Sequence, residues 1–140
     1  MSGTLDRAIA ESEEQAKAER ITSERYVIEQ QMLEEQAPVV WQQFRSAVKA
    51  ECGCRPDHLV FAVTPNTEAA INTVQAKGRK TLVLRYLPKS KAVSFVCAGK
   101  AGSYPIRLNA VNVAVLCTTD GEEFESNAEA AEQVLSLLFR

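Results

Sequence analysis

A chain of 140 residues, 46% apolar and with a net charge of −2, is long enough for one core-bearing domain and too short for two ordinary ones. No run of 18 apolar residues occurs, so no membrane-spanning helix is expected. The first twenty residues carry several glutamates and no apolar stretch, which argues against a secretory signal or a transit peptide and leaves the cytoplasm as the expected location.

The near-neutral total hides a split. Residues 1–37 hold nine carboxylates against four bases, whereas from Ala69 to Thr119 there is no Asp or Glu at all. That acid-free stretch carries Lys77, Arg79, Lys80, Arg85, Lys89, Lys91, Lys100 and Arg107. An acidic arm (1–37) joined to a basic α+β body (38–140) is the expected organisation.

Residues 5–36 are dense in Glu, Gln, Ala and Arg and contain neither Gly nor Pro, which predicts helix. A heptad drawn through Leu5, Ile9, Ser12, Ala16, Glu19, Ser23, Tyr26, Gln30 and Leu33 fails in its middle, so a long coiled coil is weakly supported. Only Ile21 to Leu33 has enough apolar surface to require a partner. Pro38 removes a backbone donor and crowds the preceding turn, so it either kinks this helix or opens a second one. Beyond it, Val40, Trp41, Phe44 and Val48 lie on one face and Gln42, Arg45 and Lys49 on the other. This is an amphipathic helix, with Gly53 placed to stop it.

After Pro56 the apolar period changes to that of strands. LVFAV (59–63), TLVLRYL (81–87), AVSFVC (92–97), SYPIRL (103–108) and VNVAVLC (111–117) are short, β-branched or aromatic, and divided by turn residues. The turns fall at Pro65-Asn66, Lys77-Gly78, Pro88 to Ser90, Gly99 to Gly102 and Asn109-Ala110. Glu68 to Gln75 can be read as strand or as a short helix capped by Thr67, with the strand favoured. Ser126 and Glu129 have capping-box spacing before Ala131, Val134, Leu135, Leu138 and Phe139, which predicts a closing helix. The expected fold is therefore α+β: a long N-terminal helix kinked at Pro38, an antiparallel meander of about six strands, and a C-terminal helix packed on one face. In such a meander LVFAV and VNVAVLC lie at the two edges. Both are apolar on nearly every residue, and exposed apolar edges invite pairing with other chains.

Chemistry-bearing clusters are few. Cys52, Cys54 and His58 could supply three ligands to zinc, but C-x-C-x3-H is not a standard zinc spacing, and a structural or incidental role is the better reading. Cys97 and Cys117 sit in strand-like runs as small core hydrophobes. His58 is the sole histidine, and no nucleophile elbow, metalloprotease helix or phosphate loop is present. Paired carboxylates occur only in charge-dense, solvated stretches. No cofactor is expected, and nothing indicates an enzyme.

Three readings remain. The first is a non-catalytic interaction or regulatory module, bound to a protein partner or to itself as a homo-oligomer. Its contact surface is the N-terminal helix, through Ile21, Ile28, Met32 and Leu33, or an apolar sheet edge. The second is a small hydrophobic-ligand binder with a pocket of Phe61, Leu84, Phe95, Ile106 and Val115. The third is anion or nucleic-acid binding by Lys77, Arg79, Lys80 and Lys100. Against nucleic acid, Tyr86 and Tyr104 alternate onto the side opposite the neighbouring Arg85 and Arg107, which weakens the case for base stacking.

Overall fold

The computed structural model describes residues 2–74 and 78–140. Helix α1 runs from Ser2 to Gly53. Six strands follow, β1 (Leu59–Phe61), β2 (Glu68–Thr73), β3 (Thr81–Leu87), β4 (Ala92–Cys97), β5 (Lys100–Leu108) and β6 (Ala114–Leu116). Helix α2 (Asn127–Ser136) and a 3₁₀ turn (Leu137–Phe139) close the chain. The chain divides into two compact units between Met32 and Leu33, inside α1.

α1 passes through Pro38 as one element instead of giving way to a second helix. The proline deprives the Glu34 carbonyl of its helical donor, but both residues are exposed, so water can take that bond. On the opposite side Ala37, Val40, Trp41, Phe44, Val48 and Cys52 are buried at helical spacing and fix this stretch to the core. The helix ends where the Cys54 and Arg55 amides turn back to Ala50 and Cys52.

The strands pair in chain order, each antiparallel to the next, as a six-stranded meander. Alternation decides the faces. Ile71, Leu82, Leu84, Val93, Cys97, Tyr104 and Ile106 point toward the helices and are buried, while Arg85, Val96 and Arg107 point away and are exposed. Residues 68–73 are strand, because Ala69 and Ile71 then fall opposite Leu84 and Leu82 on the core face. The Ser126 cap is formed as expected, its hydroxyl accepting from Glu129 N–H at 3.1 Å, while the Glu129 carboxylate reaches one residue past the cap and accepts from Glu125 N–H at 2.8 Å.

Aromatic rings organise the core. Trp41 stacks on Tyr86 at 6.2 Å, and Tyr104 meets Phe95 at 4.8 Å and Phe124 at 5.0 Å. Val134, Leu135 and Leu138 from α2 and the 3₁₀ turn join the same cluster.

Two local expectations need correction. The Gly99 to Gly102 loop is really a two-residue turn of Ala98 and Gly99, both at positive φ (51° and 82°), the pattern that suits the twist of a tight hairpin. Lys100, Ala101 and Gly102 already belong to β5, and Gly102 stands opposite Phe95. A Cβ on Gly102 would meet the Phe95 ring at 2.5 Å, so the glycine makes room for a cross-strand aromatic rather than a bend. At the other end, β6 starts at Ala114 and not at Val111. The Asn109 carboxamide accepts from the Val111 and Val113 amides, both at 3.0 Å, and converts residues 109–113 into a turn.

Candidate interaction surfaces

Within the N-terminal unit, every described side chain from Thr4 to Ile28 is exposed. Leu5, Ile9, Ile21, Tyr26, Val27 and Ile28 are between 49 and 66% accessible, large apolar groups left in water. Ile21 and Ile28 are seven residues apart and Met32 follows four later, so these three share one stripe of the helix. Met32 is half-buried. Leu33, the fourth residue of the expected contact face, is placed elsewhere: it belongs to the second unit and packs against that unit's core.

The two sheet edges are β1 and β6, as the meander requires. Along β6, residues 113, 115 and 117 bond toward β5, so Ala114 and Leu116 present their backbone outward. Of these outward groups, the Ala114 amide and the Leu116 carbonyl are occupied. Gln36 of α1 accepts from Ala114 N–H at 2.7 Å and donates to the Asn112 carbonyl at 3.1 Å. The Leu116 carbonyl accepts from Phe124 N–H at 3.1 Å. Two residues earlier on the helix, Glu34 lies 3.8 Å from Lys91. Sequence reasoning could anticipate that an edge needs cover but not that one glutamine side chain would supply it.

β1 is different. Trp41 donates its indole N–H to the Asn66 carbonyl at 2.7 Å, and Arg45 donates to the Glu68 carbonyl at 2.9 Å and lies 5.2 Å over the Phe61 ring. These contacts hold the turn into β2 and one face of the strand. Among the described residues the outward backbone of the edge has one partner, the Arg55 carbonyl that accepts from Leu59 N–H, and Val60 and Val63 are exposed, Val63 fully.

The ladder places Lys100 at the same end of the sheet as the β2–β3 turn. Lys80 donates its ammonium to the Arg140 carbonyl, Arg79 and Lys100 are exposed without an ion-pair partner among the described residues, and Lys77 lies outside the described residues. On the helix-free face Arg85 pairs with Glu68 at 3.4 Å. Tyr86 and Tyr104 face the core, where burial raises both phenol pKa values, that of Tyr104 to about 12. Of the residues expected to line a ligand pocket, Leu84 and Ile106 are buried in the core, with Phe61 and Phe95 packed against it.

Cys52 is buried and its thiol pKa is pushed up to about 11, chiefly by desolvation, whereas Cys54 and His58 are exposed. Burial likewise raises Cys117. Among the described residues no three His, Cys, Asp or Glu side chains are arranged to hold a metal ion. A cleft of about 330 Å³ opens between the end of α1, the start of β1 and the C-terminal helix, lined by Glu51, Arg55, Leu59, Glu132, Leu135, Ser136 and Phe139. Glu51 and Arg55, four residues apart at the end of α1, pair on one wall at 2.6 Å. No described helix is long and apolar enough to cross a membrane.

No protein-family model matches the chain, and neither the curated proteins nor the solved structures include a significant match.

Proposed function

We propose that the protein is a non-catalytic interaction module that self-associates, with the apolar stripe of its N-terminal helix as a contact surface. The observation that carries this reading is the accessibility of Ile21 and Ile28 on a helical stretch whose described side chains from Thr4 to Ile28 are all exposed. A helix with no tertiary cover is marginal in water, so covering such a stripe stabilises it. At about 25 cal/mol per Å² of apolar area, two isoleucines and a methionine per copy contribute several kcal/mol on association.

Sedimentation velocity over a concentration series tests the reading, comparing the full chain with an Ile21→Glu/Ile28→Glu variant. Both positions are exposed, so the variant should fold. The average mass of the wild-type chain should rise with concentration, and the variant should need about tenfold more protein for the same rise. A wild-type chain that stays monomeric at its highest soluble concentration would overturn the proposal.

A further inference from the structure

We propose that the open β1 edge receives β1 of a second copy of this chain, antiparallel about a two-fold axis at Phe61, so that two sheets join into one. The inference rests on the self-association reading above but assigns it a surface of its own.

The β1–β2 ladder fixes which groups are available. Ala62 N–H donates to the Ala70 carbonyl at 2.8 Å, and Val74 N–H donates to the His58 carbonyl at 3.1 Å. Even-numbered residues of β1 therefore bond toward β2, and Leu59 and Phe61 present their backbone outward, with Val63 next in parity. Leu59 N–H is already taken by the Arg55 carbonyl at 3.0 Å. The outward donors left are the amides of Phe61 and Val63, and Pro65 beyond them has none.

Two registers use both, one centred on Phe61 and one centred on Ala62, which would pair Phe61 with Val63. With Phe61 opposite its own copy, Phe61 N–H meets the Phe61 carbonyl across the axis, and Val63 N–H meets the Leu59 carbonyl. Centring on Val60 instead would carry Val63 past the strand to Asp57, where the chain is turning. The side chains agree with the first choice. Val63, fully exposed, comes to lie beside Leu59 of the other copy, and Leu59 lines the cleft whose wall includes Leu135 and the 58% exposed Phe139.

Charge agrees as well. Arg45 lies 3.4 Å from the Thr64 hydroxyl and marks the Val63 end of the strand with a positive charge, while exposed Asp57 marks the Leu59 end with a negative one. Antiparallel pairing brings each Asp57 turn to the Arg45 end of the other copy, so unlike charges meet at both ends. Gln36 and Phe124 hold the Ala114 amide and the Leu116 carbonyl of the β6 edge, and a two-fold pairing consumes the β1 edge of both copies, so this contact closes at two copies instead of growing into a fibre.

Cysteine pairing tests the register in the full chain carrying Cys54→Ser, which removes the exposed thiol and leaves the three buried ones. Val60 of one copy and Ala62 of the other form a non-hydrogen-bonded pair, with Cα atoms about 4.5 Å apart, within disulfide reach. A mixture of Val60→Cys and Ala62→Cys chains should give a disulfide-linked dimer under mild oxidation, and neither chain alone should. In parallel, Val63→Lys should raise the dissociation constant about tenfold. A wild-type dimer whose cysteine mixture fails to cross-link would overturn the β1 pairing while leaving the helical contact standing. Cross-linking of the Val60→Cys chain alone or of the Ala62→Cys chain alone would overturn the Phe61 axis. A wild-type chain that never dimerises would remove both proposals.

Discussion

The first and last strands of the sheet have the same length and nearly the same composition, yet the rest of the chain covers them differently. β6 has its outward Ala114 amide held by Gln36 and its Leu116 carbonyl held by Phe124. β1 has its inner face anchored by Trp41 and Arg45 and, among the described residues, only its Leu59 amide taken on the outer side. Apolar composition marks both strands as edges at risk but does not decide their fate. That decision lies with residues far along the chain: Gln36 stands 76 positions from Asn112 and 78 from Ala114.

The comparison can be broken most strongly at Trp41. Trp41→Ala removes a buried ring stacked on Tyr86 and the donor that holds Asn66 in the turn from β1 to β2. A loss of about 3–5 kcal/mol in urea unfolding is expected, with faster amide exchange in β1. If exchange speeds equally in β6, the anchoring of β1 is not local and the contrast between the edges fails.

Gln36→Leu comes next. It leaves the Ala114 amide and the Asn112 carbonyl without their partner and should cost about 1–3 kcal/mol. The sharper readout is exchange at Ala114, which should approach that of the already open Phe61 amide. An unchanged Ala114 rate would show that Gln36 is not what covers β6.

A pH effect separates the buried thiol beside β1 from the exposed one. Cys52 keeps its proton in the fold up to about pH 11 because burial disfavours the thiolate, whereas in the unfolded chain it ionises near the ordinary thiol value of 9.0. Its contribution is therefore intact below pH 9 and falls as pH rises from 9 toward 11. The urea midpoint should drop over that window, and Cys52→Ala should flatten the drop. In native protein a thiol reagent should modify Cys54 first and Cys52, Cys97 and Cys117 only on unfolding.

The smallest effect sharpens the contrast most. Val63→Lys, at a fully exposed position, should change the unfolding free energy of the chain by no more than about 0.5 kcal/mol. A larger loss would mean that the β1 edge is covered within its own chain after all.

Much of the body was legible because its signals are local. The strand runs from Thr81 to Leu87 and from Ala92 to Cys97 coincide with β3 and β4, and the Ser126 cap opens α2 where its spacing to Glu129 says. Both edges were assigned correctly, since a meander leaves no other choice. Features resting on distant partners were not legible. Gly102 reads as loop until Phe95 is seen across from it, and Asn109 reads as a simple turn until its side chain is seen taking two amides. Met32 and Leu33 look equivalent in a list of apolar residues, but successive helical positions lie about 100° apart, and only Leu33 reaches the core.

A strand order that never departs from chain order also has a kinetic meaning. Every ladder joins neighbours in sequence, so the sheet can zip hairpin by hairpin with short loops to close. The Gln36 contacts close a loop of more than seventy residues and are expected to form late. Until they form, the nascent sheet has two bare margins instead of one. The hazard of off-pathway stacking is then set by how quickly α1 docks, and rapid dilution from denaturant should recover more protein than slow dialysis at the same concentration.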